Sequence, residues 1–248
     1  MLTSEITYEV YLRLNALSDA DRERVRSAVA AVSKVVVSEN PRYWSSLMAF
    51  DAGDKGAALA FANDQPVGFW VVERLHVGDV AGFYTVLTNV LPAYQGKHIA
   101  WELRTRFLPI ETENDERPRF YTFLTRNPRS WQLNASLCKS AIPDIFDEDF
   151  DADLLELGKR AAKQLFPGNH LELPSMVISD VYPPLCCGAK EQHHRQSDIE
   201  STFFATPSLR RRENGRFFIG MLKSAAELRA MTGGHLSSRG ASEMLRRA

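Results

Sequence analysis

Gln95-Gly96-Lys97-His98 is the stretch of this chain whose residue types and spacing could hold a ligand. Gly82 to Val90, just upstream, is rich in β-branched and aromatic residues and reads as a buried strand. From Ile99 the apolar residues switch to helical spacing at Leu103 and Phe107. A strand therefore feeds a helix through a short turn. The first turn of a helix carries unpaired N–H groups and a partial positive charge, so such a turn can receive a phosphate or pyrophosphate. Lys97 can add charge there, although solvation is the commoner role of such a side chain. Cys186-Cys187 and His193-His194 gather metal-ligating types in a second place. Adjacent residues of an extended chain point to opposite sides, however, and the usual two-residue gap is missing. That stretch reads as a polar loop, and no metal is expected.

The elements that must position the turn can be read from capping and periodicity. Ser18 with Asp21 makes a capping box before a helix whose apolar side is Val25, Ala28, Val29 and Val32, after which Ser33 to Ser38 becomes β-like. Arg42 to Phe50 places Tyr43, Trp44, Leu47 and Met48 on one side of a short helix. Lys55 to Asn63 and Val67 to Leu75 are strands joined by the turn Asn63-Asp64-Gln65-Pro66, a hairpin. The helix after the phosphate turn is expected from about Tyr94 to Leu108, ending before Pro109. Phe120 to Thr125 is a strand, and Asn127-Pro128 caps a helix carrying Trp131, Leu133, Leu137 and Ala141. Asp151 to Phe166 is a further amphipathic helix. Met176 to Val181 and Phe217 to Leu222 read as strands joined through the long polar stretch Pro183 to Gly215, and Ser224 with Glu227 caps a last short helix.

The order Val90-Leu91-Pro92-Ala93-Tyr94-Gln95-Gly96-Lys97-His98-Ile99-Ala100 resembles the acyl-CoA signature of the GNAT superfamily of N-acetyltransferases. That pattern is Gln or Arg, two residues, Gly, one residue, then Gly or Ala, after a strand ending in a hydrophobic residue and proline. Gln95 and Ala100 fit it, whereas His98 stands where the family has its more important glycine. Pro66-Val67-Gly68-Phe69 resembles the family's second hairpin strand. The resemblance implies an α+β fold: a mixed, mainly antiparallel sheet flanked by helices, with a splayed pair of parallel strands forming an acyl-CoA slot. It implies one acyltransferase-like domain over residues 1–236; the extended region around 144–215 departs from a minimal family member, and the Ser-, Gly- and Arg-rich end at 237–248 reads as a mobile tail.

By the same resemblance, backbone groups of Asn89, Val90 and Leu91 would hold the pantetheine arm and polarise a thioester carbonyl. Gln95, Gly96, Lys97, His98, Ile99 and Ala100 would hold the pyrophosphate. Asn127 would contact the cofactor, with capping of its own helix an equal alternative. The implied chemistry is N-acylation of a primary amine by direct attack on acetyl-CoA or another acyl-CoA. The amine must first lose a proton, for which Glu73, His76, Asp79 and Tyr84 are candidates, Glu73 foremost and Tyr84 retained as catalytic beside it. A water relay competes with both. The family often places a thiolate-protonating tyrosine on the helix after the splayed strand, but no tyrosine occurs from Thr122 through Val181.

The whole chain bounds these readings. Its 248 residues, 44% hydrophobic and 25% charged, suit a globular protein with a sizeable core. A net charge of -1 gives no general pull toward nucleic acid or anionic membrane, and no apolar run approaches a bilayer span. The N-terminus does not read as a signal peptide, and three cysteines make no disulfide framework, so a cytoplasmic setting is expected. A small-molecule or peptide amine is the expected substrate, with a homodimer as an open arrangement. Two other readings stand beside the leading one: an acyltransferase fed by an acyl carrier protein, and a non-catalytic acyl-CoA-binding or interaction protein.

Overall fold

The computed structural model describes residues 5–36, 49, 53–113, 117–144, 151–182 and 198–232. In chain order the elements are β1 (Ile6–Tyr11), α1 (Asp19–Val36), β2 (Lys55–Ala62), β3 (Gln65–Val77), β4 (Val80–Val90), α2 (Ile99–Thr112), β5 (Phe120–Thr125) and α3 (Pro128–Ala135). They continue as β6 (Cys138–Ile142), α4 (Ala152–Leu165), β7 (Leu171–Glu172), β8 (Val177–Ile178), α5 (Asp198–Phe204), β9 (Gly215–Leu222) and α6 (Ala225–Met231). The sheet is mixed and mainly antiparallel, with β4 and β5 parallel, and helices flank it.

The chain divides into two compact units. The first comprises residues 1–74, 85–117 and 224–248, so it contains β1, β2, α1, α2, α6 and parts of β3 and β4. Its strands run in the order β1-β2-β3-β4. Two-residue loop Asn63-Asp64 closes the β2–β3 hairpin, and both residues take positive φ, 49° and 61°. That is the geometry of the tight hairpin turn whose twist matches the strands, and Asn and Asp tolerate it better than other side chains with a Cβ. Ser18 accepts the Asp21 N–H at 3.1 Å and caps α1. Val25, Ala28, Val29 and Val32 then face Tyr11, Leu59, Phe61, Phe69 and Val71 in one buried cluster.

Tyr11 in that cluster is 1% exposed and donates to Glu9 Oε2 at 2.7 Å, and Arg24 holds the same carboxylate through two bonds. Burial foremost, then the Glu9 hydrogen bond, pushes the Tyr11 phenol up to about 12. Between pH 10 and pH 12 the unfolded chain loses that proton while the folded one keeps it, so stability must fall as pH rises through this window. The buried Cys138 thiol, also pushed up by burial, adds the same sign from a lower pH. Urea midpoints taken from pH 9 to pH 12 should therefore fall, and Tyr11→Phe should flatten the upper part of the curve.

The second unit comprises residues 75–84 and 118–223. Its strand order is β4-β5-β9-β8-β7, with β6 also on β9. β5 and β9 pair along six residues, and α4 covers them through Leu154, Leu157, Ala161 and Ala162 against Phe120, Ile142, Phe217 and Ile219. Asp151 caps α4, accepting the N–H groups of Asp153 and Leu154.

Five expectations from sequence change here. Ser33–Val36 is the last turn of α1, because Ser33 is fully buried and Val36 packs on the α1 cluster; β-branched residues follow the helix when its face is needed. Pro109 does not end its helix: α2 starts at Ile99 rather than Tyr94 and runs to Thr112, with Pro109 and Thr112 buried and α6 packed alongside. The apolar residues Leu137 and Ala141 do not extend α3; the chain turns at Ser136 and Cys138–Ile142 joins β9 as a strand. Met176–Val181 forms only the two-residue β8, since Met176 and Asp180 take positive φ on either side. The polar stretch before Gly215 includes α5 and a 3-10 turn, Pro207–Arg210. The expected helix over Arg42–Phe50 and the Cys186, Cys187, His193 and His194 cluster lie outside the described residues.

Candidate acyl-donor site

β4 is the strand that departs from regularity. It pairs with β5 only over Gly82, Phe83 and Tyr84, against Phe120, Tyr121 and Thr122. From Thr85 to Val90 its neighbour among the described strands is β3 alone, and every residue there except Asn89 is partly exposed. The side-chain alternation also breaks. Thr85 Oγ1 accepts from Trp70 Nε1 at 3.0 Å, and Thr88 Oγ1 accepts from Arg104 Nη2 at 2.8 Å. The Arg104 guanidinium lies 5.4 Å over the Trp70 ring, so Thr85 and Thr88 address one face although they are three positions apart, an odd spacing. One extra residue between them, a β-bulge, accounts for this. Consecutive Val86 and Leu87 accordingly both pack on the α1 cluster. A bulged strand edge with no second neighbour among the described strands can offer backbone N–H and C=O groups to an extended ligand.

The strand ends in a 3-10 turn, Pro92–Tyr94, closed by the Tyr94 N–H on Leu91 C=O at 2.8 Å. Gln95 follows, and its side-chain amide donates back to Val90 C=O at 3.1 Å, tying the turn to the strand end. Gly96 has φ 78° with nothing within 4 Å of where a Cβ would stand. His98 is the residue before α2 and also takes the left-handed conformation, φ 59° and ψ 14°. This explains why a glycine suits that position: a residue with a Cβ sits there under strain. The turn keeps its shape with histidine, and the imidazole is exposed.

The N–H groups of Gly96, Lys97, His98, Ile99 and Ala100 find no backbone acceptor among the described residues, and the first donors taken up belong to Trp101 and Glu102, both on His98 C=O at 3.0 Å. The side chain of His98 makes no capping bond. Lys97 Nζ stands 4.8 Å over the Tyr94 ring. Ile99 is buried, and Gly68 of β3 lets it approach: a Cβ at Gly68 would meet Ile99 Cγ2 at 3.1 Å and Val90 Cγ2 at 3.3 Å. The result is a cradle of backbone donors at the positive end of a helix, suited to an anion.

The predicted residues thus divide. Asn89, Val90, Leu91 and Gln95 to Ala100 form one continuous strand end, turn and helix start in the first unit. Glu73 lies on β3 of that unit, opposite Lys55 of β2. Its carboxylate sits over Gly53, near enough that a Cβ there would fall 2.5 Å from Oε1, and Lys55 Nζ is 3.6 Å from the same point. Tyr84 belongs to the second unit, where its ring meets Phe166 edge-on at 6.2 Å. Asn127, also in the second unit, accepts the N–H groups of Arg129 and Ser130 and caps α3. No described contact brings Glu73, Tyr84 or Asn127 to the turn. No group of three or more metal-ligating side chains occurs among the described residues, and no helix among them is long and apolar enough to cross a membrane.

Sequence reasoning passed over the side chains that fix this region: Arg104, Trp70, Thr85 and Thr88. An arginine at Leu103-Arg104-Thr105, inside an otherwise apolar helical stripe, was the available signal. It also passed over Arg126, whose guanidinium donates to the carbonyls of Leu209, Arg211 and Asn214 in the second unit. Arg216 likewise donates to Phe203 C=O and Thr206 Oγ1, so two arginines fasten the 203–214 segment.

No family model matches the chain, and no curated protein sequence does. Solved structures to which it is similar include the ribosomal-protein-S18-alanine N-acetyltransferase of Escherichia coli, at 11% identity over 88% of this chain and 95% of that one, TM-score 0.46. Arabidopsis thaliana NAA60 in complex with acetyl-CoA matches at 13% identity over 55% and 87% of the two chains, TM-score 0.37. The aminoglycoside acetyltransferase HMB0005, from an uncultured soil metagenomic sample, matches at 12% identity over 60% and 99%, TM-score 0.40. Likenesses of this size establish neither an activity nor a substrate.

Proposed function

We propose that this chain is a GNAT-type acyltransferase that moves an acetyl or related acyl group from acyl-CoA to a primary amine. One observation carries the reading: the strand segment Thr85–Val90, whose one neighbour among the described strands is β3, leads directly into a turn at the start of α2 whose N–H groups find no backbone acceptor among the described residues. A CoA thioester has two matching parts. Its pantetheine arm is an extended, amide-bearing chain that can bond to a strand edge, and its pyrophosphate is an anion for a helix start. The backbone of Asn89, Val90 and Leu91 would take the arm, and Gln95 to Ala100 the pyrophosphate. Lys97 and His98, both exposed, stand beside it.

Transfer consists of attack by a neutral amine nitrogen on the thioester carbon, collapse of the tetrahedral oxyanion, and departure of CoA as thiolate. Glu73 or a water held by it removes the amine proton, and Tyr84 is the second proton-transfer group in this reading. The acceptor is a small molecule or a peptide. An acyl carrier protein in place of CoA would need no pyrophosphate site, and the free N–H groups of the turn favour CoA over it.

Calorimetric titration with acetyl-CoA tests the reading. Saturable binding at micromolar concentration is expected for the wild type, and none for a variant in which residues 95–100 are scrambled while thermal unfolding is retained. A folded wild type that takes up no acetyl-CoA would overturn it.

A further inference from the structure

Asn89 carries a feature the proposed function does not use. It is buried, at 9% exposure, and its amide nitrogen has no hydrogen-bond partner among the described residues. The face it occupies follows from its neighbours. Thr88 bonds to Arg104 of α2, and Val90 Cγ2 lies with Ile99 of α2 near Gly68, so both point to the α2 side of the sheet. Asn89 alternates with them and points to the other side, between Leu87 and Leu91, both of which pack on the apolar α1 cluster. A polar amide among apolar side chains, with a donor left unused, destabilises the fold; buried polar groups are otherwise almost always paired. Leucine or valine would serve packing better at this place. The donor sits on the strand segment whose edge has no second neighbour among the described strands, three positions before the turn that begins at Pro92.

We infer that the Asn89 side-chain amide is a binding group for a carbonyl oxygen of the acyl-thioester arm, a side-chain donor added to the backbone donors of β4. The inference rests on the acyl-CoA reading of the site. An amide N–H presented beside a strand edge fits a neutral acceptor, either the thioester carbonyl or an amide carbonyl of the pantetheine arm. It carries no charge, so it orients the arm without competing with the turn for phosphate.

Asn89→Leu tests it, with Asn89→Ala as the smaller second variant, by calorimetry with acetyl-CoA and with CoA beside thermal unfolding of each protein. The expected result is about a tenfold weaker affinity for acetyl-CoA in both variants, the size of one neutral hydrogen bond, with an unchanged or raised Tm for Asn89→Leu. A loss confined to acetyl-CoA identifies the thioester carbonyl as the acceptor, and an equal loss with CoA identifies an amide of the arm. Unchanged affinity in either variant overturns the inference, as does a loss seen in Asn89→Leu but not in Asn89→Ala, which the bulk of leucine would explain. Wild-type protein that binds neither compound overturns the acyl-CoA reading itself, a different result from variants that bind as tightly as the wild type.

Discussion

Glu111→Gln should lower the unfolding free energy by about 3–5 kcal/mol, the cost of leaving one member of a buried ion pair uncompensated. Glu111 lies in the last turn of α2 and Arg74 near the end of the first unit's part of β3; their side chains are 7% and 8% exposed. The guanidinium meets the carboxylate through two bonds, Nε to Oε2 at 2.8 Å and Nη2 to Oε1 at 2.5 Å. It also donates to Leu12 C=O at 2.6 Å and to Asp54 at 3.2 Å. Glutamine keeps the size of the side chain and one acceptor, so what is removed is charge. Asp54, nearly half exposed, is too well solvated to replace it. The pair sets the far end of the helix whose first residues carry N–H groups with no backbone acceptor among the described residues. Urea denaturation measures the loss, and the double variant Arg74→Met with Glu111→Leu should recover most of it, since well-packed apolar side chains replace a buried pair at little cost. A loss below about 1 kcal/mol for Glu111→Gln would mean that the pair is solvated rather than buried.

What was legible in the sequence was whatever depends on near neighbours in the chain. Asn127-Pro128, Asp151 and Ser224 with Glu227 each begin a helix as their capping chemistry requires, and Phe120–Thr125 is a strand with the expected bounds. The turn Gln95-Gly96-Lys97-His98 was legible for the same reason, because its glycine and the helical spacing from Ile99 lie within a few residues, whereas the 3-10 turn Pro92–Tyr94 was not, the helix being expected from about Tyr94. Misreadings arose where a distant partner decides. Leu137 and Ala141 have helical spacing, but β9 offers an open edge and Cys138–Ile142 takes it. Val35 and Val36 favour a strand, yet the α1 cluster has room for one more helical turn. β1, unread in the sequence, exists because β2 pairs with it along six residues. The bulge in β4 carries no local signature at all: it is visible only once Trp70 and Arg104 reveal which way Thr85 and Thr88 point.

That arrangement gives Arg104 a consequence beyond stability. Its side chain is 3% exposed and runs back toward the start of α2, as long helical side chains do, donating Nη1 to Ala100 C=O at 2.6 Å and Nη2 to Thr88 Oγ1 at 2.8 Å. One guanidinium therefore ties the first turn of the helix to the strand just past the bulge. Arg104→Met keeps an apolar side chain of similar length but removes both bonds, each from a charged donor, and the guanidinium over Trp70. The fold should lose about 2–3 kcal/mol, and acetyl-CoA affinity should fall about tenfold or more because the N–H groups of the turn no longer hold their spacing relative to β4. Arg104→Lys keeps the charge and can make one of the two bonds, so it should fall between wild type and methionine on both measures. Urea denaturation and calorimetry on the three proteins separate the two effects. Affinity that stays constant while stability falls would make Arg104 a packing residue only; affinity that falls in step from arginine through lysine to methionine means that the strand edge and the turn before α2 act as one site, held at a fixed distance by a single side chain.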